Sequence, residues 1–186
     1  MKIRALLLLL FIATPCFAQN YHPLVEVYPG FSYMRIDGDE RDNRNFYGWN
    51  GALSVNATKI FGFTVDASGH YQDNVIERSR FFSLLAGPRF TSRNNEFTTF
   101  GHVLLGGMHQ HERVATLDQQ FDTHGVAFAA AFGGGVDVNV THHFGVRVIQ
   151  AEYVLSKFNR AVSGKEVQHH ARVGFGVVFR FGYKPD

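Results

Sequence analysis

Between Arg172 and Tyr183 the chain alternates, with Val173, Phe175, Val177, Phe179, Phe181 and Tyr183 on one face and a face opposite dominated by glycine and arginine. A period of two is the signature of a β-strand. The segment is long enough to cross a bilayer as a tilted strand, and an aromatic face opposite small and charged residues suits lipid on one side and a narrow lumen on the other. The same pattern recurs upstream over residues 25–34, 47–56, 61–72, 82–90, 97–109, 125–140 and 145–155. Together these predict an all-β fold, an eight-stranded antiparallel up-and-down transmembrane β-barrel.

Three places disturb the alternation. Pro88 sits on the apolar side of the fourth strand and, having no N–H to give a ladder, is read as a bulge. Gly101, Gly106 and Gly107 blur the two faces of the fifth strand, which is predicted without a face assignment. Arg147 falls among the apolar positions of the seventh strand, so either its head snorkels to the interface or a bulge shifts the register.

The connections alternate in length. Those over residues 37–45, 73–78, 111–124 and 156–168 are long and polar, whereas those around 58–59, 92–95 and 141–143 are tight. Outer-membrane barrels keep short turns on the periplasmic side. The long connections therefore face outward, and both termini lie in the periplasm.

At the N-terminus Lys2 and Arg4 precede an apolar run that ends at Pro15, with Cys16, Phe17 and Ala18 at the cleavage positions. This is the pattern of a secretory signal peptide over residues 1–18, and the barrel domain takes residues 19–186. Cleavage removes the single cysteine and two of the 18 basic residues, leaving as many cations as the 16 acidic groups. A mature chain without cysteine has no disulfide framework, and one without excess positive charge is a poor partner for nucleic acid. The 19 Phe and 19 Gly fit lipid-facing aromatics around a tightly packed interior.

Several segments resemble the small eight-stranded outer membrane β-barrel proteins, the group that includes the barrel domain of the outer membrane protein A family. They are Leu85-Ala86-Gly87-Pro88-Arg89-Phe90, Gly134-Gly135-Val136-Asp137, Gly145-Val146-Arg147 through Gln150-Ala151-Glu152-Tyr153, and the last strand. The resemblance implies residence in the bacterial outer membrane among its lipids. Gly176, Phe179 and Phe181 resemble the terminal signal read by the barrel assembly machinery, although Gly182 to Asp186 follow it here, and no peptidoglycan-binding domain is appended.

Inward-facing charges are the first candidate site. Glu26 on the first strand and Arg180 on the last lie near the same end of the seam and are expected to interact, with Asp66, Arg89, Asp137, Glu152 and Arg172 in the same lumen network. Eight strands leave an interior just wide enough for side chains. The leading expectation is a filled lumen with a structural or surface-interaction role, the outer loops being where an extracellular ligand would bind. Its alternatives are a small narrow pore and a soluble periplasmic or secreted ligand-binding barrel.

Asp37, Asp39, Glu40, Arg41, Asp42 and Arg44 in the first outer loop, and Gln119, Gln120, Asp122 and His124 in the third, are the candidate surface contacts. His70, His109, His111, His124, His169 and His170 gather at the outer strand ends, but their spacing has no metal-binding pattern, so no metal or other cofactor is assigned. Ser68 lies two residues from His70 on one face. No third member orients the pair, and the chain is not read as an enzyme.

Overall fold

The computed structural model describes residues 21–37, 44–73, 77–115, 120–160 and 164–185, with side chains over somewhat shorter spans. The predicted signal peptide and the centres of all four outer connections lie outside these residues, with Asp39, Glu40, Arg41, Asp42 and Gln119 among them. So do the side chains of Asp37, Arg44, Gln120, Asp122 and His124.

Eight strands form one closed antiparallel barrel: β1 Tyr21–Asp37, β2 Arg44–Asn56, β3 Phe61–Asp73, β4 Glu77–Arg93, β5 Phe97–Ala115, β6 Gln120–Asn139, β7 Phe144–Arg160 and β8 Gly164–Pro185. Each pairs with the next, and β8 closes on β1 with Glu26 opposite Arg180. The short turns are built by threonines. Thr58 Oγ1 accepts from the Phe61 amide at 3.0 Å, and Thr141 Oγ1 accepts from the Phe144 amide at 3.0 Å. Asn139 Nδ2 donates to the Asn94 carbonyl at 2.9 Å and ties two neighbouring turns together.

The outer ends differ from the expected lengths. β5 and β6 stay paired as far as Ala115 opposite Gln120, and β7 and β8 as far as Arg160 opposite Gly164, so ladder replaces most of the two loops expected over 111–124 and 156–168. Beyond the lipid the backbone still satisfies itself across the hairpin, and the sequence there mixes polar and apolar residues without a period of two. The alternation that marks a strand in sequence is lost there although the strand continues.

The register also resolves the three irregularities. Across Pro88 it is unbroken, with Ala86 opposite Leu105 and Arg89 opposite His102 on one ladder, so the expected bulge is absent. Pro88 points outward between them. Where Arg147 breaks parity there is a true bulge: Val136 pairs with Ile149 and Asp137 with Arg147, and Val148 and Ile149 both face out. One extra residue turns Arg147 inward. On β5, Phe100, His102, Leu104 and Met108 face the lumen.

A ladder leaving β1 at Met34 passes Arg172, Glu152, Gly133, His102, Arg89, Gly62 and Asn56. It returns to β1 next to Val25, about ten residues below its start, the stagger that fixes strand tilt and lumen width.

The large exposed side chains are apolar and form a band around the barrel, including Phe31, Leu53, Phe63, Leu84, Leu105, Phe132 and Phe175. Tyr33 stacks on Tyr47 and Tyr71 on Phe82 at its outer edge, while Phe61 meets Phe90 and Phe144 meets Phe179 at the inner edge. Such rings belong at the two interfaces of a bilayer. Because the apolar face lies outside, the soluble alternative, which needs that face to line a cavity, does not hold.

Candidate functional site

Inside, the side chains divide into an outer apolar layer and an inner charged one. Met34, Phe46, Phe81, Leu85, Leu104, Met108, Ala127, Ala129, Ala131 and Val154 form one buried cluster toward the outer end. Phe46 meets Phe81 edge to face with centroids 5.0 Å apart. Four of these side chains, Met34, Phe46, Phe81 and Leu85, come from β1, β2 and β4.

Below the cluster, Arg172 bridges two carboxylates. Its Nη2 donates to Asp66 Oδ1 at 2.9 Å, its Nε donates to Glu152 Oε2, and its Nη1 donates to Ser68 Oγ at 2.9 Å. Glu152 also takes His102 Nε2 at 2.7 Å. Asp66 Oδ2 accepts from Asn50 at 2.7 Å, and Gln150 reaches across to Asn50.

At the inner end Glu26 is surrounded. Arg89 Nη1 lies 2.7 Å from Oε2, while Arg93 Nη2 lies 3.1 Å and Arg180 Nε 3.6 Å from Oε1. Asp137 holds Arg147 through two bonds, Nε to Oδ1 at 2.7 Å and Nη2 to Oδ2 at 3.2 Å. Arg180 Nη2 stands 3.7 Å from the same Oδ2. The guanidinium of Arg147 lies between two rings, 4.0 Å from the centroid of Tyr28 and 4.1 Å from that of Phe100, and Arg89 lies 4.3 Å from Phe100. Buried cations with aromatic faces and carboxylates around them recover part of the hydration they lose.

The seven charged residues named from sequence thus face the lumen in two groups, Asp66, Glu152 and Arg172 above and Glu26, Arg89, Asp137 and Arg180 below. Sequence reasoning missed three members. Arg93 was read as part of a turn, although it shares the parity of Arg89 two inward positions earlier. His102 was hidden by the glycines of β5. Arg147 was signalled by the adjacent apolar pair Val148 and Ile149, which marks a change of parity.

The described histidines divide between lumen and outer wall. His70 and His170 are buried in the lumen, where Nε2 of each lies 2.9 Å from Ser32 Oγ and 2.8 Å from Ser156 Oγ respectively. His109 and His169 face outward, and His169 Nδ1 meets the Tyr153 hydroxyl. Among the described residues no three His, Cys, Asp or Glu are placed to hold a metal ion. Ser68 Oγ pairs with Ser83 Oγ at 2.7 Å and not with His70.

Over residues 5–181 the chain matches the sequence profile of the outer membrane protein beta-barrel domain. Among solved structures it is similar to Ail, the attachment invasion locus protein of Yersinia pestis, with a TM-score of 0.62 at 18% identity, covering 87% of this chain and 100% of that one. The same protein in complex with the heparin analogue sucrose octasulfate gives a TM-score of 0.59 at 18% identity, with coverage of 83% and 97%. Neisserial surface protein A gives 0.63 at 12% identity, with coverage of 88% and 100%. No curated protein sequence matches.

Proposed function

This chain belongs to the outer membrane protein β-barrel domain family and lies in the bacterial outer membrane, and from that premise we propose that it is a closed barrel acting at the cell surface, without catalysis or conduction. The stacking of the two layers carries this reading. An ion entering from outside would have to part ten packed apolar side chains and then displace the Arg172 and Glu26 clusters, each of which would leave buried charge unpaired.

Purified protein in planar bilayers is therefore expected to give no steady current. A stable ohmic conductance in the wild-type protein would overturn the closed reading in favour of the narrow pore.

The surface role is supported by the outer strand ends. Toward the outer strand ends Arg35, Arg80 and Lys157 face outward, with His109 and His169 beside them, a collar whose formal charge is positive. Its chemistry suits an anionic glycan, the class of ligand seen with Ail. Titration with sucrose octasulfate should show binding that Arg80→Gln and Lys157→Gln together weaken. Equal affinity in that variant would remove the collar from the surface role.

A further inference from the structure

The inner cluster holds more positive charge than its carboxylates balance. Among the described residues, Arg89, Arg93, Arg147 and Arg180 converge on only Glu26 and Asp137. Arg147 is fully engaged by Asp137, Gln150 and the two rings, so the surplus falls on the other three, all of which approach Glu26.

Their donors are also in surplus. Arg89 is 2% exposed, yet Nε and Nη2 have no hydrogen-bond partner; its Nη1 donates to Ser54 Oγ and lies 2.7 Å from Glu26 Oε2, an oxygen that itself accepts no hydrogen bond. Arg93 Nε and Arg180 Nη2 are likewise buried without a hydrogen-bond partner, and so are the hydroxyls of Thr91 and Tyr183. Tyr183 lies within electrostatic reach of Arg180, Glu26 and Arg93. Set against the unpartnered acceptors Glu26 Oε2 and Asn56 Oδ1, these six groups, four of them guanidinium nitrogens, leave donors in excess, the complement of an acceptor ligand.

Local structure explains the convergence. Arg89, Thr91 and Arg93 are successive inward positions at the end of β4, so their side chains leave one face of the strand about 7 Å apart. Arg180 comes from β8, and Arg93, at the rim, also lines an open hollow of about 420 Å³ beside the 94–97 turn. Arg93 alone of these residues lines that hollow, beside Glu96, and so stands at the solvent edge of the group.

We propose that the inner mouth of the barrel is a binding site for a small oxyanion, held by Arg89, Arg93 and Arg180 beside Glu26. The ligand class follows from the chemistry. Guanidinium forks match the oxygens of phosphate or carboxylate, and four arginines against two carboxylates leave room for one or two negative charges. Chloride is a poorer match because a single spherical ion offers no paired oxygens to a guanidinium fork. The apolar layer above makes the site a dead end, open toward the periplasm and closed toward the cell surface.

The test is a titration of the purified, detergent-solubilised barrel with inorganic phosphate at constant ionic strength, kept with sodium chloride, followed by calorimetry and by the phosphorus resonance of the ligand. Saturable one-to-one binding is expected. Arg93→Gln, at the rim where folding is least at risk, should weaken it about tenfold, the loss of one charge-assisted hydrogen bond, and Val126→Thr on the outer wall should leave it unchanged. A parallel titration with acetate distinguishes carboxylate from phosphate. Absence of saturable binding of either anion to the wild-type protein means that water satisfies these donors and overturns the proposal without reference to any variant. Binding that Arg93→Gln leaves intact overturns the placement.

Discussion

Glu26 is the most heavily engaged single residue, with three guanidinium groups on one carboxylate that is 1% exposed. Glu26→Ala removes the partner of all three and is expected to destabilise the barrel by about 3–5 kcal/mol, the range for stripping one side from a buried ion cluster. Heat-induced loss of the compact gel mobility measures it. A double-mutant cycle should give a larger coupling with Arg89, at 2.7 Å, than with Arg180, at 3.6 Å, within about 1–3 kcal/mol. Equal couplings would mean that the cluster acts as diffuse charge. Glycines carry the other residue-scale prediction. Gly30, Gly174 and Gly176 clear the space in which the Tyr28 ring lies flat beneath Arg147, and a methyl group at Gly176 would meet the Pro29 carbonyl as well as that ring. Gly176→Ala should cost about 1–3 kcal/mol. At Gly101 the nearest atom to such a methyl lies 3.7 Å away, and Gly101→Ala should be neutral or stabilise by up to about 1 kcal/mol.

At the scale of elements, legibility follows the lipid. β3 could be read to the residue because Phe61, Phe63 and Val65 face an apolar solvent while Gly62, Thr64 and Asp66 face a polar lumen. β5 resisted because Leu104 and Met108 belong to the apolar layer, so apolar residues occupy both faces and alternation vanishes. The ends of β5 and β6 read as loop because residues 111–115 and 120–124 lack the period of two and are mostly polar. Within the candidate network, parity alone located Glu26, Asp66, Arg89 and Arg172, whereas Arg147 required knowing that β7 carries a bulge. The topology has a direct check, since the mature chain as predicted contains no cysteine. His111→Cys should react with a membrane-impermeant maleimide in intact cells, and Asn95→Cys only after the outer membrane is opened. The reverse pattern would invert the barrel.

For the molecule as a whole, the arrangement is a wall turned inside out relative to a water-soluble domain, with its largest apolar area outside and, among the described residues, 24 buried polar or charged ones. No helix in the described residues is long and apolar enough to cross a membrane, and the strands make the crossing. The interior bonds join distant parts of the chain: Arg172 meets Asp66 across 106 positions, and Arg93 meets Glu26 across 67. They bind the whole circumference where a ladder binds only neighbours.

The seam between β1 and β8 places Glu26 on one side and Arg180 on the other. Until those two edges meet, the carboxylate and its arginines stand in an open trough, hydrated and free of one another. Zipping the seam and dehydrating the charges are then one event, and a sheet that stops short must keep water at membrane depth. Such a half-finished sheet has nowhere stable to rest in lipid, so insertion of this barrel should run as a single committed step with the first and last strands joining at its end.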